Sequence, residues 1–249
     1  MNNSVCIATF NGSDFIKQQM VSVLAQLGTN DEVIIVDDFS TDNTIKLINE
    51  LNDKRIRIYE NKGNFGHVYS FSKALRLANN DYIFMCDQDD IWIDKRVELM
   101  KLKINESNSL LLSSNQNFIN NASDSILFDM SDISESESNL YFSNLQKIFL
   151  GTAGYYGCAM CLKKDLIKLI LPIPSYIESH DLWIAIAANL IKRNCHLDIK
   201  TLDRRIHDKN ASIIKRNLVL KFKSRFIFIL NIIHIKFRIY KLRIFNQPL

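Results

Sequence analysis

The chemistry most visible in this chain lies in "CDQDDIW" (86–92), where an apolar run releases Asp87, Asp89 and Asp90 within four positions. On an extended chain residues i and i+2 point to the same side, so Asp87 and Asp89 would stand together with Gln88 turned away. Two close carboxylates repel unless one is protonated or a cation sits between them. Oxygen ligands of this kind suit Mg²⁺ or Mn²⁺, which complete their shells with water and substrate phosphates. The same spacing also reads as a solvated acidic turn with Asp94 capping the next helix. An EF-hand is disfavoured, because Trp92 stands where that loop needs glycine.

Other reactive groups are more scattered. "VDDFSTD" (36–42) carries two adjacent acids, one of which could accept hydrogen bonds from a base or ribose; it also reads as a helix start capped by Ser40 or Thr41. Asp181 in "SHDLW" falls in the first turn of a helical pattern with Ser179 as its cap, where a carboxylate stays ionised and can act as a general base. Acids at helix starts are also common without any catalytic role. "RRIHDKN" (204–210) gathers Arg204, Arg205 and His207, a phosphate or metal cluster or a surface turn. Cys158 and Cys161 form a C-x-x-C, but residues three apart in a strand face opposite sides, which argues against zinc or redox use. Trp92 and Trp183 follow acidic clusters and are either packing residues or walls for a sugar ring.

The elements needed to position these groups follow from periodicity. "SVCIATF" (4–10), "EVIIVDD" (32–38), "RIRIYE" (55–60) and "DYIFMC" (81–86) read as strands. Helical patterns at 14–27, 40–51 and 66–78 separate them. Apolar strands joined by helices of this length predict a mostly parallel, doubly wound α/β sheet flanked by helices. Ligands bind such sheets beyond the carboxyl ends of the strands, and there the sequence places "TFNG", "VDDFSTD", "ENKGNFG" and "CDQDD". No G-x-G-x-x-G or G-x-x-x-x-G-K follows the first strand, so neither a dinucleotide fold nor a P-loop is supported. Beyond residue 95 the pattern predicts a strand at 109–119, a polar, mobile loop at 120–139, strand then helix over 155–170 and a buried helix at 179–193.

With 249 residues, 47% of them hydrophobic, the chain can bury a substantial core. Its net charge of +4 hides an asymmetry: residues 1–208 carry 21 basic against 27 acidic side chains, and ten Lys/Arg with no acid follow Asp208. Five cysteines, an odd number set mostly in apolar runs, fit reduced thiols, and the N-terminus has no secretory pattern. These features imply a cytoplasmic protein, or one attached to a membrane from one side. The apolar run 226–235 is about half a bilayer span.

Seven segments in order, "IATFNG", "VDDFSTDNT", "NKGNFG", "DYIFMCDQDDIW", "GTAGYYGCAMCLKKDL", "SHDLW" and "RRIHDKNAS", resemble the motif series of family-2 glycosyltransferases of the GT-A fold. The resemblance covers about residues 4–212. The "DQDDIW" and "HDLW" forms are similar to bacterial enzymes that build O-antigen, capsule and other surface polysaccharides, several of them rhamnosyltransferases. The resemblance implies a donor domain over 1–95 and an acceptor half over 96–214. It implies that Thr9, Phe10 and Asn11 hold the nucleobase, with Phe10 stacking on it, and that Asp38 hydrogen-bonds the base. Asp87 would lie near the ribose and Asp89 on a Mn²⁺ or Mg²⁺ ion that bridges the diphosphate, with Asp90 in support. Asp181 matches the catalytic base, and His207 with Arg205 matches a motif near the diphosphate; His207 is a further metal ligand. His180 and Trp183 flank the base as supporting residues.

Two departures matter: His180 stands where many relatives have Glu, and Gln88 fills the centre of the D-x-D, so the donor sugar is not inherited from better-known members. The implied reaction is inverting transfer from a nucleotide-sugar donor to a lipid-linked saccharide acceptor, at the inner face of the cytoplasmic membrane. The basic tail, 215–249, lies outside the resemblance. Its aromatic and basic residues suit peripheral contact with an anionic lipid surface, although Lys236, Arg238, Lys241 and Arg243 share no single helical face. A nucleotidyltransferase would need a Gly-rich, Lys/Arg-bearing loop that "FNGSDF" does not supply. A basic-tailed nucleic-acid module is disfavoured by the acidic body.

Overall fold

The computed structural model describes residues 1–128, 131–207 and 218–245. Eight strands form one sheet: β1 (Asn3–Thr9), β2 (Glu32–Asp37), β3 (Ile56–Glu60), β4 (Tyr82–Cys86), β5 (Ile91–Trp92), β6 (Leu111–Ile119), β7 (Met160–Lys163) and β8 (Asn194–Arg205). The order across the sheet is β3-β2-β1-β4-β7-β6-β8-β5. Strands β3, β2, β1 and β4 run parallel, as the alternation with helices predicts. Strand β7 pairs antiparallel to both β4 and β6, β8 runs parallel to β6, and the short β5 closes the edge antiparallel to β8.

The helices are α1 (Ile16–Leu24), α2 (Thr44–Asn49), α3 (His67–Leu77), α4 (Arg96–Glu106), α5 (Tyr141–Leu150), α6 (Ile167–Ile170), α7 (His180–Leu190) and α8 (Leu218–Ile244). The central stretches of β1, β2 and β4, over 5–8, 33–36 and 82–86, are apolar throughout because both faces are covered. In β1, Val5 and Ile7 face α1, α2 and α4, whereas Cys6 faces the layer of α3, α5, α6, α7 and α8; β2 and β4 alternate the same way.

Several local expectations change. The helix expected from residue 40 begins at Thr44, because Ser40 and Thr41 are spent on the neighbouring loop. Ser40 donates its N–H and hydroxyl to Asp37, at 2.8 and 2.6 Å, and Asp42 Oδ1 accepts the Thr44 N–H at 3.0 Å. The strand expected from residue 155 starts at Met160, after a 3-10 turn over Gly157–Ala159. The polar loop 120–139 is pinned at Ile133, a buried residue whose peptide N–H and C=O both bond the Asn115 amide, at 2.9 and 3.0 Å. The sequence shows that loop's polarity, but not its partner on β6.

The described part of the basic tail, α8, packs on the body. Phe228, Ile232, Ile235, Ile239 and Leu242 join the core cluster that contains α6 and α7, and Ile235 is fully buried. Arg238 donates to the carbonyls of Leu169 and Pro172, at 3.0 and 2.6 Å, and lies over the Trp183 ring. Residues 208–217 lie outside the described residues. Because Ile235 is enclosed, Ile235→Ala should cost roughly 2–5 kcal/mol of folding stability. Urea unfolding should show that loss in one transition shared by α8 and the sheet.

Candidate active site

The parallel strands β1, β2 and β4 end side by side, so the loops after them meet at one sheet edge. Three contacts fix those loops. Thr9 donates its hydroxyl to Asp37 at 2.8 Å. Asn11, held at a positive φ of 47°, accepts the Thr41 N–H on its side-chain oxygen at 2.8 Å while its own N–H donates to the Ser40 hydroxyl at 2.9 Å. Gln88 accepts the Phe10 N–H at 2.8 Å and donates to the Phe10 carbonyl at 3.1 Å. The side chain between the two acids therefore turns to the β1 loop, where Gly12 leaves room for it; a Cβ there would strike the Gln88 amide. Thr9 and Asn11 act through this framework, and Phe10 is left 44% exposed at its front.

Asp38 is buried at the end of β2 yet lines the same space. Its carboxylate accepts from Asn61 Nδ2 at 2.8 Å and from the N–H groups of Phe65 and Gly66 at 3.0 and 2.6 Å. A carboxylate has about four acceptor positions, so one remains for a ligand.

Asp87, Asp89, His207, Arg204, His180, Asp181, Tyr156 and the first turns of α8 all line one cavity of about 1110 Å³. Asp89 Oδ2 lies 2.7 Å from His207 Nε2, and the His207 ring stacks on Phe15. Burial, then the neighbouring Asp89, push Asp87 up to about 6, with Arg204 acting in the opposite direction. The crowding of carboxylates inferred from the sequence is therefore real, and a cation would relieve it. Asp89 and His207, with Asp87 nearby, supply hard oxygens and one imidazole, donor types that suit a divalent ion, with Mn²⁺ more tolerant of the imidazole than Mg²⁺.

Asp90 faces elsewhere. It is 1% exposed, its Oδ1 accepts the Arg205 N–H at 3.0 Å, and its other oxygen has no hydrogen-bond partner among the described residues. Burial first, then Asp89 and Asp87, hold its carboxyl well above the usual range. Asp87, Asp90 and Cys158 also converge within 4.8 Å. Burial pushes the Cys158 thiol far up, so it stays protonated and makes a poor third ligand for a hard cation. All five cysteines are buried and free.

Two assignments need correction. Arg205 does not face the cavity: its guanidinium donates to Asp89 O, Asn120 O, Asn121 O, Gln18 and Ser123, and lies over Phe15. Arg204 faces the cavity instead, over the Tyr156 ring, because successive residues of β8 alternate sides. Strand alternation was the signal that could have separated the two arginines. Trp183 is fully buried, donates its indole N–H to Ile170 O at 2.9 Å, and is a packing residue rather than a sugar wall; Trp92 is buried as well.

Asp181 stands in the first turn of α7 behind the N-cap Ser179. Its Oδ1 accepts the Leu182 N–H at 2.8 Å and the Ser179 hydroxyl. Both interactions anchor one oxygen of the carboxylate at the helix N-terminus. Beside it, His180 is 6% exposed, stacks on Phe71, and has neither ring nitrogen hydrogen-bonded among the described residues. Burial, with His67 in support and Asp181 opposing, lowers it to about 4. A Cβ on Gly157 would sit 2.8 Å from its Nε2, so glycine is what admits this ring.

The family model for glycosyl transferase family 2 matches residues 4–171. The chain belongs to that family. This family-2 chain is 32% identical over 120 residues to the UDP-Glc:alpha-D-GlcNAc-diphosphoundecaprenol beta-1,3-glucosyltransferase WfgD of Escherichia coli, a match covering 48% of this chain and 47% of WfgD. It is 34% identical over 99 residues to the dTDP-rhamnosyl transferase RfbG of Shigella flexneri, covering 37% and 34% of the two chains. The matched segment spans less than half the length of either relative. In three dimensions the chain is similar to S. aureus TarS 1–349 in complex with UDP-GlcNAc, with a TM-score of 0.74 at 19% identity over 93% of this chain and 66% of TarS. It is also similar to the mannosyltransferase PcManGT of Pyrobaculum calidifontis in complex with GDP-Man and Mn²⁺, with a TM-score of 0.61 at 12% identity over 97% and 74% of the chains. These likenesses agree with the GT-A fold that the sequence motifs imply.

Asp87 and His180 affect stability in opposite directions over nearly the same pH window. The raised Asp87 contributes stability that is present below about 4 and lost as pH rises through about 6; the lowered His180 contributes stability that is present above about 6.5 and lost as pH falls through about 4. In metal-free buffer, Asp87→Asn should therefore gain stability relative to wild type as pH rises across that window. His180→Gln should lose ground, with urea midpoints at several pH values giving both slopes.

Proposed function

We propose that this chain transfers a sugar, with inversion, from a UDP- or dTDP-linked donor to a hydroxyl of a lipid-linked glycan acceptor in the synthesis of a bacterial surface polysaccharide. The observation that carries this reading is that one cavity is lined by Phe10, Asp38, Asp87, Asp89 and His207 together with Asp181. In this reading residues 1–95 hold the donor and 96–214 the acceptor. The name of WfgD describes transfer to a diphosphoundecaprenol-linked sugar, and that of RfbG a dTDP-rhamnosyl donor; both support these substrate classes.

Phe10 stacks on the base, and the remaining acceptor position of Asp38 takes its N–H. Asp87 accepts from the ribose. Asp89 and His207, with Asp87 nearby, would hold Mn²⁺ or Mg²⁺, which when bound would stabilise negative charge on the diphosphate. Arg204, a cation lining the same cavity, attracts the diphosphate. Asp181, held at its helix end, takes the proton from the acceptor hydroxyl as the oxygen attacks C1 opposite the departing diphosphate. That displacement inverts the anomeric centre. His180, with both ring nitrogens enclosed, packs beside the base as a supporting residue. A lipid-linked acceptor brings the reaction to the inner face of the cytoplasmic membrane.

Asp181→Asn should reduce transfer by at least a thousandfold while donor affinity, read by calorimetry with Mn²⁺, stays within about threefold; the size of the loss is that of a catalytic base. Retained turnover would move the base elsewhere. Asp89→Ala should instead remove the Mn²⁺-dependent part of donor binding. Incubation with a panel of nucleotide sugars and Mn²⁺, followed by hydrolysis of each, identifies the donor.

A further inference from the structure

Helix α8 has two apolar faces. The inner one docks on the core as described above. The outer one runs through Phe226, Ile229, Ile233, Phe237, Tyr240 and Ile244, spaced three or four residues apart and each between 49% and 62% exposed. With 3.6 residues per turn, that spacing draws a single stripe along five turns of the helix. Basic residues border it on both sides. Lys236 and Arg243, two turns apart, lie along one border, and Lys223 and Lys241, five turns apart, lie along the other; all four are exposed. No acidic residue occurs between 218 and 245. The absence of one polar face on a helical wheel thus has a structural cause, since two apolar stripes divide the cations between them. Among the described residues no helix is long and apolar enough to cross a membrane.

We infer that the outer stripe of α8 is the surface on which the protein lies against an anionic lipid bilayer, with the aromatic and aliphatic side chains in the interface and the flanking cations on the headgroups. Charge complementarity selects this occupant: an uninterrupted apolar stripe bordered on both sides by Lys and Arg, with no acid on the helix itself, matches a negatively charged interface, although Lys223 also pairs with Glu178 of the body at 2.6 Å. The orientation has a use that rests on the lipid-linked acceptor proposed above. Lys221, Ser224, Arg225 and Phe228 of the same helix line the cavity that contains Asp181. A helix lying flat on the bilayer therefore sets the mouth of the cavity beside the headgroups, where the phosphate of a lipid-linked saccharide would emerge.

Flotation with phosphatidylcholine vesicles, with and without phosphatidylglycerol, tests the surface without donor or acceptor. Wild-type protein should float with the anionic vesicles and stay behind with the neutral ones. The double variant Ile233→Glu, Phe237→Glu changes two exposed side chains, so its urea midpoint should match wild type while its vesicle affinity falls at least tenfold. Failure of the wild-type protein to bind anionic vesicles overturns the inference, as does unchanged binding by the variant. A concentration-dependent dimer in light scattering, abolished by the same variant, would assign the stripe to a second copy of the chain instead. Hydrolysis of the nucleotide sugar, measured in parallel, separates the two readings: loss of flotation with hydrolysis intact strikes the docking surface, and the converse strikes the transfer reaction.

Discussion

The parallel pairing of β1 with β2 on one side and β4 on the other is the constraint on which the site depends. Parallel neighbours release their loops at the same edge, so residues 10–15, 38–43 and 87–90 emerge together although up to 80 positions separate them. The pairing alone would leave three polar loops with many accessible conformations. The Gln88–Phe10 clamp, the Asn11–Thr41 bond and the Thr9–Asp37 bond tie each loop to its neighbour. Order at this edge is thus built from side chains that face other loops and leave Phe10 to the cavity.

The second half of the chain answers the charge that the first half creates. Three aspartates at the end of one strand would be costly so close to the core without partners. Strand β8 returns along β6 and presents Arg204 and His207 to the cavity and the Arg205 peptide to Asp90. Adjacent residues on β8 divide the labour: one guanidinium faces the cavity, while the next gathers carbonyls from the 120–121 turn and from Asp89. Burial, then the neighbouring Asp89 and Asp87, push the Asp90 carboxyl up, while Asp89 lines the cavity beside an imidazole.

β1, β2 and β4 were legible because their central residues are apolar on both faces and β3 because Ile56 and Ile58 alternate with Arg57, and the placing of polar loops at their ends followed from topology. Asp181 was legible from the cap that precedes it. What the sequence hid depends on contacts between distant segments. Nothing local distinguishes Asp90 from Asp89; the Arg205 peptide, more than a hundred positions away, turns one of them inward. Trp183 sits in a motif that resembles a sugar wall, yet Ile170 and Arg238 enclose it. Ser40 and Thr41 look like helix caps until Asn11 and Asp37 claim them. The tail reads as an appendage because its inner and outer apolar stripes overlap in a linear sequence.

That last point bears on how the molecule can be handled. A greasy, basic C-terminal segment is the part usually trimmed to improve yield, and the cut would fall ahead of α8. Here such trimming strips the cover from α6 and α7, bares Trp183 and opens the cavity where Lys221, Arg225 and Phe228 close it. A shortened protein could gain solubility and still misreport acceptor preference, since part of the lining of the cavity proposed to receive the acceptor would be gone.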